Sequence, residues 1–127
     1  MLAIRELNVR IRELEIKLFQ RDMAEADDWI EGLEGLNHEL GMLLLIEKHV
    51  LRDDRIRYDL LAWRRANTLT VADLCKYQQN IKTEMEYGHG GHHIAWVKTH
   101  EKYRAKHKGH LSTYANFKIK VLGKLLK

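Results

Sequence analysis

Apolar residues open the chain at alternating steps of three and four, Ile4, Leu7, Ile11, Leu14 and Leu18. That spacing is the seam of a coiled coil. Near Phe19 the seam shifts by one residue and resumes as Phe19, Met23, Ala26, Ile30, Leu33, Asn37, Leu40, Leu44, Glu47 and Leu51. A straight helix drifts about 20° per heptad against an exact 3.5 repeat, so the shift fits one continuous helix. The pattern predicts a first helix from about residue 2 to 51. Gly32, Gly35 and Gly41 weigh against continuity, each costing about 1 kcal/mol in a helix interior, and a break at Gly32 or Gly35 would give four helices instead of three.

Arg52-Asp53-Asp54 ends this pattern and offers an N-cap to the next. The second helix, predicted over 54–87, follows Ile56, Leu60, Trp63, Asn67, Thr70, Leu74, Tyr77 and Ile81, with a kink conceivable near Asn67. Gly88, Gly90 and Gly91 form the second loop, since glycine supplies the backbone angles a helix exit needs. A third helix over 92–126 carries Ile94, Val97, Leu111, Tyr114, Phe117, Val121, Leu122 and Leu125, but is thinly apolar from Glu101 to His110. The expected fold is therefore all-α: a single-domain antiparallel bundle of three long helices with coiled-coil-like seams.

Composition narrows the function classes. The 127 residues include no proline, so nothing enforces a helix stop, and one cysteine, so no internal disulfide can form. The longest apolar run, Met42 to Ile46, is far below the roughly 20 residues that cross a bilayer. No signal-peptide pattern is present, and a cytoplasmic location is expected. Phosphate-binding glycine loops and a nucleophile elbow are missing and Ser112 is the only serine, so neither catalysis nor a cofactor is expected. Cys75 is expected to be a small packing residue.

Charge is unevenly distributed. The overall +4 conceals an acidic stretch from Asp22 to Glu39 and a basic one after Val97, where Glu101 is the only acid. Either the two helices are neighbours, or the basic one meets a polyanion such as nucleic acid. In the second case Lys98, Lys102, Arg104, Lys106, Lys108, Lys118 and Lys120 would carry the contacts. Eight histidines raise the question of metal. His93, His100 and His107 share a helical stripe, but lie about 10.5 Å apart along the axis, too far for one ion. His89, His92 and His93 in the glycine loop are the weak candidates that remain.

Length mismatch points to assembly. A first helix about 15 residues longer than its partners leaves about 20 Å of seam unpaired, either at Ile4, Leu7, Ile11 and Leu14 or around Met42 to Ile46. Asn37 and Asn67 occupy seam positions where an amide fixes alignment at a cost in stability. With the four N-terminal residues they are the expected interface of a homo-oligomer, most simply a two-fold dimer. The functional expectation is a structural, protein-interaction module acting through helix–helix association.

Overall fold

A computed structural model describes residues 2–88 and 90–126. The described residues form three long helices in an all-α bundle: α1 (Leu2–Ile46), α2 (Asp54–Tyr87) and α3 (Ile94–Leu125). Gly32 and Gly35 do not interrupt α1, and α2 runs through Asn67 without a break. Tertiary burial of the seam outweighs the cost of two glycines at exposed positions.

The end of α1 departs from expectation. Glu47–Leu51 form a π-helical turn, closed by the Arg52 amide donating to the Glu47 carbonyl at 2.6 Å, and Arg52 itself adopts a left-handed conformation with φ of 47°. A wider turn absorbs one extra residue without breaking the ladder. Asp53 then caps α2 as its sequence suggests, its carboxylate accepting from the Arg55 and Ile56 amides. At the other loop Gly88 caps the exit of α2, its amide donating to the Glu84 carbonyl, and His93 caps α3, its ring nitrogen accepting from the Ala95 amide.

Two apolar clusters make the core. Phe19, Ala26, Trp29 and Leu33 of α1 meet Leu74, Tyr77 and Ile81 of α2; further along, Leu36, Leu40 and Leu43 meet Ile56 and Leu60, closed by Tyr114 and Val121 of α3. Backbones approach most closely between α1 and α2. The third helix stands off by the length of its inward side chains, which are mostly aromatic, imidazole or guanidinium groups. Cys75 is exposed and does not pack as expected.

Arg12 marks where the bundle ends. Its guanidinium donates to the carbonyls of Glu84 and Met85 in the last turn of α2 and of the cap residue Gly88. The part of α1 before Arg12 therefore runs on past the end of α2, and residues 3–11 are all exposed.

Candidate functional site

The apolar overhang is the first feature. Ile4, Leu7, Ile11 and Leu14 are 63%, 57%, 44% and 61% exposed. They lie one residue out of step with Arg12, Glu15 and Phe19, which meet the rest of the chain, so the row sits about 100° around α1 from the covered face. Four large apolar side chains bare along three turns of one helix form an exposed apolar stripe.

Within the bundle, the expected interface amides behave differently. Asn67 is fully buried and both ends of its amide are used inside the chain. Its Nδ2 donates to the Leu33 carbonyl at 2.7 Å, and its Oδ1 accepts from His110 Nε2 at 3.0 Å. Asn37 is half-buried and donates to the Thr68 hydroxyl at 3.4 Å. The assignment of Asn67 and Asn37 to an interface between copies is corrected: they align helices of one chain, because their partners lie on its own α1, α2 and α3.

The second feature is a buried polar layer that joins α3 to α1 and α2. Asp22 is 2% exposed, and His92 Nε2 reaches its carboxylate at 2.8 Å. His100, 3% exposed, lies between Glu25, 2.5 Å from its Nε2, and the Tyr77 hydroxyl, 2.6 Å from its Nδ1. A carboxylate only accepts, so Nε2 carries a proton; in a neutral ring Nδ1 is then an acceptor and Tyr77 donates. Burial, reinforced by the charges of Asp22 and Glu25, raises the Tyr77 pKa, which keeps that proton in place. Arg104 donates to both oxygens of Glu25 and pairs with Glu101. The Arg104 hydrogen bond, with help from His100, holds the Glu25 carboxyl down at about 2.

Trp29 closes this layer. Its ring is stacked between His100 and His107, at centroid distances of 5.0 and 5.7 Å. Burial lowers the pKa of His107 and of His110, so the folded state favours their neutral forms. A third pairing lies further along α3, where Lys118 and the Tyr114 hydroxyl both bind Glu39.

The histidines of α3 are thus part of its inward face, which the sequence pattern left looking thinly apolar. The signal lies in the seven-residue spacing of His100, His107, Tyr114 and Val121, but imidazole counts as polar and hides the core character of that stripe. The weak metal candidates do not converge. His92 is bound to Asp22, His93 caps α3, and His89 lies outside the described residues. Among the described residues no group of three or more ligating side chains is placed to hold a metal ion. Arg104 also occupies Glu25 with positive charge.

Of the residues considered for polyanion contact, two are corrected. Arg104 and Lys118 are committed to carboxylates of α1, whereas Lys98, Lys102, Lys106, Lys108 and Lys120 are exposed. Acidic α1 and basic α3 are neighbours through Glu25 and Glu39. Comparison with protein-family models, with curated proteins and with solved structures gives no match, so the chemistry of the residues carries the functional argument.

Proposed function

We propose that the chain is a structural module that acts by helix–helix association, closing its N-terminal seam against a second copy. The observation that supports this most is the row of Ile4, Leu7, Ile11 and Leu14, four apolar side chains at coiled-coil spacing that are all exposed. Water contact along such a row is unfavourable, and a matching row removes it.

Of the two orientations, the antiparallel one leads the second bundle away from the first. A two-fold axis near residue 9 then pairs Ile4 with Leu14 and Leu7 with Ile11 of the other copy, giving an elongated end-to-end dimer. Four apolar side chains per copy make a contact below the usual size of stable interfaces, so a dissociation constant on the order of 1–100 μM is expected.

The axis also brings Asn8 of each copy together, since it is the position that flanks the seam near residue 9. With Cys75 replaced by serine, Asn8→Cys should form a disulfide-linked dimer efficiently under mild oxidation, and Gln20→Cys, outside the overlap, should not. Equal cross-linking at both positions would mean random encounter and would sink the proposal.

A further inference from the structure

The stand-off of α3 leaves a groove between α2 and α3 on the side away from α1's acidic groups. Two adjoining recesses of about 280 and 340 Å³ share Thr99 and Tyr103 as common wall. Each is near the lower size of sites that take one small-molecule unit, roughly 300 Å³. The floor is aromatic: Trp96 lies at one end, and Tyr103 is stacked by one face on Tyr77 at 4.4 Å.

The two walls differ in charge. On the α3 side Lys102 and Lys106 line the groove, and Lys98 continues the same stripe one turn earlier. The ion pairs that α3's basic residues make, among the described residues, belong to Arg104, Lys118 and Lys124. The stripe from Lys98 to Lys106 is therefore uncommitted, with its charges about 6 Å apart along the axis. On the α2 side the groove presents Asn80, whose amide both donates and accepts, and Asp73, whose carboxylate lies against the Tyr103 hydroxyl.

From this arrangement we propose that the α2–α3 groove binds single-stranded nucleic acid, with phosphates along Lys98, Lys102 and Lys106 and bases against Trp96 and Tyr103. A cationic rail beside an aromatic floor is the combination that single strands use, because bases stack without sequence preference while lysines follow the backbone. A duplex hides its base faces and gains only the lysine contacts. Simple polyanions such as sulfated polysaccharides bring charge but no base face for the aromatic floor. The proposal is independent of the association argued above, since the groove lies on α2 and α3 and the overhang on α1.

The test is fluorescence anisotropy with a fluorescein-labelled 12-nucleotide oligothymidine, titrated with the full chain at 50 and 200 mM salt. Three phosphate contacts on a single strand predict a slope of about −2 in log affinity against log salt, a loss of about twentyfold over that range. Quenching of tryptophan emission should accompany binding and should disappear in Trp96→Phe. The triple variant Lys98→Glu, Lys102→Glu, Lys106→Glu should lose at least tenfold in affinity, whereas Lys48→Glu, Arg65→Glu, Lys108→Glu, with the same net charge change, should lose far less. Leu7→Asp with Ile11→Asp, which removes the overhang seam, should bind as the parent does. Absence of binding at 50 mM salt would overturn the proposal. So would equal affinity for heparin or duplex without quenching, or equal loss in the two charge-reversed variants.

Discussion

Two asparagines at equivalent seam positions carry opposite energetic signs. Asn67 is fully occupied within the core, so Asn67→Ala would strand the His110 donor and lose the bond to Leu33. A destabilisation of about 1–3 kcal/mol is expected in urea unfolding, typical of a buried group left without its partner. Asn37 donates to Thr68, yet its buried Oδ1 has no acceptor's share of any bond. Asn37→Leu should therefore stabilise the fold by about 0.5–1 kcal/mol, removing an unpaid desolvation and improving the seam. A gain at position 67 or a loss at position 37 would show that the amide partners are misassigned. Sequence alone marked both residues as alignment devices. It could not say which neighbour each one met, because those partners are 31 or more positions away.

At the scale of elements, the helices differ in what holds them. The seams of α1 and α2 were legible, since Leu, Ile and Phe at steps of three and four admit one buried face. The π-helical turn at Glu47–Leu51 was not, as no residue type in Glu-Lys-His-Val-Leu requires it. Gly32 and Gly35 point into open space, and a Cβ added to either meets nothing within 4 Å. Gly32→Ala and Gly35→Ala should each raise stability by about 1 kcal/mol without altering helicity. Gly91 is the opposite case: its φ is 71° and an added Cβ would press on Glu15, so Gly91→Ala should cost about 1 kcal/mol or more in the same assay.

The docking of α3 should depend on pH, because its inward face carries imidazoles where α1 and α2 carry leucines. His107 and His110 have folded pKa values below 6.5, so their contribution is complete above pH 6.5 and declines as the pH falls below it. Glu25 has a folded value of about 2 against 4.5, so its contribution is complete above pH 4.5 and is lost on the way to pH 2. Both act in the same direction. Facing these groups are Asp22 and Glu25 of α1, Tyr77 and Asn67 of α2, and Arg104 and Lys106 of α3 itself. Near-ultraviolet circular dichroism should weaken in two stages on acidification, and Glu25→Gln should diminish the lower one, which Glu39 shares. A flat profile from pH 7 to pH 3 would contradict the role given to this layer.

For the whole molecule, the organising fact is a mismatch of lengths. The first helix and its π turn span residues 2–51, against 32 and 34 residues in the other two helices. The surplus lies at the N-terminal end, since Arg12 is already at the tip of α2. The sequence indicated the surplus but left its end open, because which end is bare depends on where the two loops fall. Charge is also partitioned at this scale, with acidic α1 pairing part of basic α3 and leaving Lys102 and Lys106 toward the α2 groove. The measurement that tests the association most directly is sedimentation equilibrium of the full chain across 5–200 μM. The mass should rise from the 15.0 kDa of one chain toward twice that value, and Leu7→Asp with Ile11→Asp should hold it at one chain; a parent protein that stays at one chain throughout would contradict the account.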